Sequence, residues 1–179
     1  MKPINGNIIV SINLSQKDET VIGGNTLLTG KGYNDNFRER NPVIALVEVG
    51  TKEIPVGCHI VCNYSYFDLE SPMAISDTQY SIPVSEEIYA VVNDDGSLTP
   101  IMGNVLVERV TKDSVIDLPE ELKKPFMDRG VLLTDTEAIK KGSFIFWLKF
   151  SDYEICYTWK GEERRALKIH QTEITGYLK

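Results

Sequence analysis

Apolar residues come along this chain in short runs rich in Val, Ile, Phe, Tyr and Trp, cut at close intervals by Gly, Pro, Asn and Asp. Runs of that composition and length, bounded by turn-forming residues, predict strands. They fall at "NGNIIV" (Asn5 to Val10), "PVIALVEVG" (Pro42 to Gly50), "VGCHIVC" (Val56 to Cys62) and "EEIYAVV" (Glu86 to Val92). A second set falls at "GNVLVERV" (Gly103 to Val110), "RGVLLTD" (Arg129 to Asp135), "KKGSFIFW" (Lys140 to Trp147) and "TEITGYL" (Thr172 to Leu178). Helical spacing is confined to "DLPEELKKPFMD". There Asp117 can cap, Glu120 stands at capping-box distance, Pro119 suits a first turn and Pro125 stops the helix after about two turns. The pattern predicts an all-β chain of small barrels or sandwiches.

The two sets are copies of one plan. Pro3 to Val10 reads "PINGNIIV" and Pro100 to Val107 reads "PIMGNVLV". "VGCHIVCNYSYFD" from Val56 resembles "KGSFIFWLKFSDY" from Lys141, and "SEEIYAVV" from Ser85 resembles "QTEITGYL" from Gln171. Three landmarks in one order indicate a tandem duplication. The turn-forming run Asn93-Asp94-Asp95-Gly96-Ser97 marks the join, giving expected domains at 1–95 and 96–179.

Between the first two strands of the first copy lies a long, mostly polar connection holding "VIGGNTLLTG" (Val21 to Gly30). An unstructured connection of that length inside a small domain is uncommon and usually functional. It carries an isolated aliphatic pair, Leu27 and Leu28, among glycines. The bland alternative is that this pair belongs to an ordinary hairpin strand folded back on the barrel.

Composition narrows the function classes. With 42% hydrophobic and 25% charged residues the chain has the material for a core. Its formal net charge of -7 argues against nucleic-acid and anionic-membrane partners. No apolar run is long enough to span a bilayer and "MKPINGNIIVSI" lacks the features of a signal peptide. Three cysteines fit a reducing compartment. A soluble, cytoplasmic protein is expected. Cys58, His59 and Cys62 suggest a metal, but strand alternation sends His59 away from the two cysteines. His170 has no nucleophile pattern nearby, Asp94-Asp95 and Glu86-Glu87 read as strand flanks, and no phosphate or dinucleotide fingerprint is present. No catalytic residue, metal or cofactor is expected.

The order of landmarks resembles the co-chaperonin family of bacterial GroES, twice over. In the first copy the resemblance rests on "KPINGNIIV", the loop segment "GGNTLLTG", "PVIALVEVG", "VGCHIVC" and "EEIYAVV". In the second it rests on "TPIMGNVLV", "RGVLLTD", "KKGSFIFW" and "TEITGYL", whose connection carries "SVIDL" in place of the glycine-flanked aliphatics. The resemblance implies two tandem small GroES-like β-barrels, the first with a mobile loop at 13–41 and the second with a shorter, divergent loop at 111–129. It implies a non-enzymatic co-chaperonin that docks on a GroEL-like chaperonin ring and acts on unfolded clients indirectly. Ile22, Gly23, Gly24, Thr26, Leu27 and Leu28 would make the chaperonin contact. It also implies a ring-like homo-oligomer. The last strand of copy one (Ile88 to Val92) would pair with the first of copy two (Val105 to Val110). That leaves as oligomer edges the strands of Ile8 and Val10 and of Ile174 and Tyr177. A duplicated β-barrel structural or assembly protein without chaperonin binding is the alternative.

Overall fold

A computed structural model describes residues 6–12, 19–22, 25–28, 43–67, 72–111 and 125–178. Fourteen strands are present among them: β1 (Asn7–Ser11), β2 (Glu19–Ile22), β3 (Asn25–Leu28), β4 (Val43–Val49), β5 (His59–Cys62), β6 (Gln79–Pro83), β7 (Ile88–Val92), β8 (Leu98–Pro100), β9 (Asn104–Thr111), β10 (Pro125–Leu132), β11 (Phe144–Trp147), β12 (Tyr153–Trp159), β13 (Glu162–His170) and β14 (Ile174–Leu178). The described residues contain short 3-10 turns at Tyr64–Phe67 and Gln171–Glu173 and no α-helix. The expected helix, from Asp117 to its stop at Pro125, lies outside the described residues, which resume with Pro125 at the start of β10.

Two six-stranded antiparallel sheets form the fold, in the orders β6-β1-β4-β5-β7-β8 and β12-β13-β9-β10-β11-β14. Five strands correspond one to one between them, with β6, β1, β4, β5 and β7 answering to β13, β9, β10, β11 and β14. The duplication reaches individual hydrogen bonds. The Gly57 amide donates to the Val47 carbonyl at 2.8 Å and the Gly142 amide to Leu132 at 2.8 Å. Thr51 and Thr136 each receive an amide bond at Oγ1, from Ile54 and Ile139, and bind the carbonyl of the same isoleucine through their own amide. Gly57 (φ 85°) and Gly142 (φ 88°) turn the chain in the left-handed region, which only glycine enters at no steric cost. Even the bulge recurs, between Val61 and Cys62 and between Phe146 and Trp147.

Contacts group residues 1–102 with 155–165 in one compact unit and 103–154 with 166–179 in another. The first core contains Ile8, Val10, Val47, Ile54, Ile60 and Cys62; the second contains Val105, Val107, Leu132, Ile139, Ile145 and Trp147 in the corresponding places. Apolar burial of this kind is the main stabilising term.

Three expectations are corrected. The sheets are open, not closed barrels: no ladder joins β6 to β8 or β12 to β14 among the described residues. In the first unit both ends are ill suited to closure. The Ser81 amide on β6 already binds the Met73 carbonyl at 2.8 Å, and β8 is only three residues long. The strand of Ile8 and Val10 is also no edge. β1 is paired to β6 on one side and β4 on the other, and Ile8, Ile9 and Val10 are all buried. A strand covered on both faces reads as a continuous apolar run, as "IIV" does. Nor does β7 pair with the strand of Val105: its outer neighbour is β8, while β9 lies between β13 and β10.

Candidate functional site

The segment singled out in the first copy folds as a hairpin. β2 and β3 pair antiparallel, with Glu19 opposite Leu28, Thr20 opposite Leu27, Val21 opposite Thr26 and Ile22 opposite Asn25. They form a two-stranded sheet of their own, joined among the described residues to neither six-stranded sheet. Gly23 and Gly24 lie outside the described residues, as do 13–18 and 29–42. Ile22, Thr26, Leu27 and Leu28 are thus brought together on one hairpin. Its signal is present in the sequence: Thr20, Val21, Ile22 and Thr26 are β-formers flanking a Gly-Gly pair.

Of the other predicted positions, Ile174 and Tyr177 lie on β14, which ends its sheet. Tyr177 and the adjacent Leu178 are 43% and 58% exposed, large apolar surface on an edge strand. In the second loop, Val115 and Ile116 fall outside the described residues.

A groove with no counterpart among the sequence-based expectations opens in the second unit. It has a volume of about 820 Å³ and is lined by Glu108, Arg109, Val110, Phe126, Arg129, Val131 and Phe144. Cross-strand register places Val131 opposite both Glu108 and Phe144, on the face turned away from Leu132 and Ile145 of the core. The Arg129 guanidinium lies 4.5 Å from the Phe126 ring centre and 5.5 Å from that of Phe146. It binds Asp128 at 2.9 Å and holds that carboxyl below its ordinary range. Arg109 pairs with the buried Asp152. Both guanidinium groups of the lining are paired with carboxylates, Arg129 with Asp128 and Arg109 with Asp152.

The tempting constellations disperse. Cys62 is buried in the first core, Cys58 is half-buried, and the His59 ring packs edge-on against Trp159 at 5.0 Å. Among the described residues no three His, Cys, Asp or Glu side chains gather as metal ligands. Asp95 accepts bonds from the Ser97 amide and hydroxyl, which lower its pKa, and Glu87 accepts from Asn63 and Tyr89. His170 Nδ1 contacts the Thr172 hydroxyl at 2.6 Å.

Burial pushes the Cys62 thiol well above its ordinary value of 9.0. The folded state keeps the proton that the unfolded chain releases, so this contribution to stability is complete below pH 9.0 and falls as pH rises beyond it. Cys62→Val should therefore lose less stability than the parent between about pH 8 and 10, measured by urea unfolding at each pH. In the native chain at neutral pH, Cys62 should be inert to thiol reagents. Rapid labelling of Cys62, or identical pH dependence in the two chains, would contradict this.

No protein-family model matches the chain, and no curated protein matches it in sequence.

Proposed function

We propose that this chain is a non-enzymatic, self-assembling, cytoplasmic co-chaperonin of the GroES type, with two GroES-like domains. In this reading it docks on a GroEL-like chaperonin ring through the β2–β3 hairpin and assists client folding indirectly. The observation that carries it is a duplicated β-sheet plan bearing, in its first copy, an extra hairpin of aliphatic composition that among the described residues belongs to neither six-stranded sheet. A docking element on a scaffold needs that independence. A single hairpin burying two leucines gains roughly 1.5–3 kcal/mol for each, offset by about 1–2 kcal/mol per residue ordered. One contact is weak, but several in one assembly bind by avidity and remain releasable. The absence of helices long and apolar enough to cross a membrane among the described residues is compatible with this reading. The test is co-elution of the purified chain with a chaperonin in the presence of ATP or ADP. A chain that never co-elutes is instead a duplicated structural or assembly protein.

Self-association has its own support in the repeat. β8 covers the outer edge of β7, with Ala90 opposite Pro100, Val91 opposite Thr99 and Val92 opposite Leu98. β14 is the second copy's counterpart of β7, and it ends its sheet. An edge strand invites a partner strand, and head-to-tail addition closes into a ring if the rotation permits. Removing residues 173–179 should shift sedimentation from oligomer to monomer; a truncated chain that stays folded and fully assembled would refute this edge.

A further inference from the structure

The outer face of the first sheet, turned away from its core, is closed. On β5 and β7, Val61 and its cross-strand neighbour Ala90 are both fully buried, and Val92 is 6% exposed. What closes this face comes from the second copy: residues 155–165, in the hairpin of β12 and β13, group with the first unit. The Trp159 ring lies against His59 with 5.0 Å between centres, and the Tyr157 hydroxyl donates to the Gly96 carbonyl at 2.7 Å. The outer edge of β7 is covered by β8, which also follows the first copy in the chain. Both the edge and the outer face of the first copy are therefore finished by residues of the copy that comes after it.

The second sheet presents the same positions unfinished. Phe144 stands opposite Leu178 as His59 stands opposite Val92, and Phe146 opposite Gly176 as Val61 opposite Ala90. Leu178 is 58% exposed where Val92 is 6%, and Phe146 is half-buried where Val61 is fully buried. The Phe144 and Phe146 rings meet edge-on at 5.3 Å, and Phe144 and Val131 line the groove of about 820 Å³. β14 ends the sheet beside them. By its place in the repeat this is a covered face, and by its exposure it is an apolar surface that awaits a cover. In the plan the cover is a following copy, and in an assembly the first copy of another chain can take that place.

The first copy has an element suited to it. β6 answers to β13, so the turn before β6 is the counterpart of the β12–β13 hairpin. There the Ile75 and Ser76 amides both bind the Gln79 carbonyl, at 2.8 and 3.1 Å, and the Ser76 hydroxyl oxygen accepts from the amides of Thr78 and Gln79. The turn's polar groups satisfy one another, and Ile75 is left on it as an aliphatic side chain 41% exposed. We infer that the outer face of the second sheet, around Val131, Phe144, Phe146 and Leu178, is the docking surface for the first copy of a second chain, whose Ile75 turn enters the groove beside Phe144. Trp159 on His59 is the same contact made within one chain, since Phe144 holds the position of His59. The inference rests on the self-association proposed above and not on chaperonin binding, and it adds to the β14 edge an apolar surface continuous with it. Face and turn lie on different copies, so the contact is heterologous and each chain offers one of each.

In the full-length chain, Ile75→Asp and Phe144→Asp should each weaken self-association about tenfold or more, as an unpaired carboxylate in an apolar contact does, measured by sedimentation velocity. Circular dichroism and urea unfolding should show both variants folded, because Ile75 is exposed and the first copy carries a polar residue, His59, at the position of Phe144. Leu178→Asp, at an exposed position, tests the same face if Phe144→Asp does not fold. Where each variant alone is monomeric, a mixture of the turn variant with a face variant should give a two-chain species and nothing larger, since one intact face meets one intact turn. A mixture without that species, or either kind of variant assembling as the parent does, overturns the inference. Weakening by the face variants with Ile75→Asp assembling normally also overturns it, because the face would then have another occupant, such as a client peptide or an unrelated protein. An assembly dispersed by removing residues 173–179 but kept by all three variants leaves the β14 edge standing and removes this inference alone, whereas a monomeric parent removes both.

Discussion

Replacing Leu27 and Leu28 together by aspartate should abolish association with the chaperonin ring and leave both six-stranded sheets folded. Each leucine buried in an apolar groove is worth roughly 1.5–3 kcal/mol, so losing both costs about 3–6 kcal/mol per docking element, a factor of 10² to 10⁴. Carboxylates in the same place add a desolvation penalty. In a multivalent assembly the loss is multiplied across the contacts. The fold should not notice, because β3 pairs with β2 alone and neither strand belongs to the two core sheets. The measurement is co-elution with chaperonin and nucleotide, beside circular dichroism and urea unfolding of the free chain. A matched exchange at Val115 and Ile116 of the second loop should do less. If that exchange proved the more damaging, the docking element would be misassigned.

Much of the fold could be read in the sequence because the chain states its plan twice. "PINGNIIV" and "PIMGNVLV" anticipate β1 and β9, and "VGCHIVC" and "KKGSFIFW" anticipate β5 and β11. A repeat needs only local likeness to be seen, and here it extends to shared turns and a shared bulge. Non-local facts were out of reach. β13 reads "EERRALKIH", a composition of helix formers and charges, and only Leu167 and Ile169 meet the core. Its extended form comes from the edge of β9, which no local preference announces. β6 is five residues ending in Pro83, and β8 is three ending in Pro100, too short for alternation to speak. Which strand lies at an edge is likewise a property of the whole sheet. Hence the strand of Ile8 and Val10, an oligomer edge by the family resemblance, is central in its sheet. The β2–β3 hairpin is half legible: its aliphatic residues stand out as a pair, whereas its pairing depends on weighing the β-formers on both sides of Gly23-Gly24.

Gly130→Ala should destabilise the second unit by about 3 kcal/mol or more, beyond the usual cost of overpacking, visible as a lower urea midpoint for the full chain. A Cβ at Gly130 would sit 2.0 Å from the Glu108 carbonyl oxygen and 3.0 Å from Trp147 Cη2. The first of these is backbone of the paired strand β9, so no side-chain rotation relieves it. Gly130 is opposite Ile145 on β11 as Ala45 is opposite Ile60 on β5, which makes Ala45 its counterpart in the first copy, with its Cβ buried at 1% exposure. The difference lies one bulge further on. Where the first core holds Cys62, the second holds Trp147, and the larger ring is matched by the smaller residue across from it. The two cores have thus reached one strand order by different divisions of volume, as close packing requires. Trp147→Cys made in addition to Gly130→Ala should recover only part of the lost stability, because the Glu108 contact persists. Full recovery would assign the conflict to the indole alone, and an unchanged midpoint in Gly130→Ala would show that β9 yields.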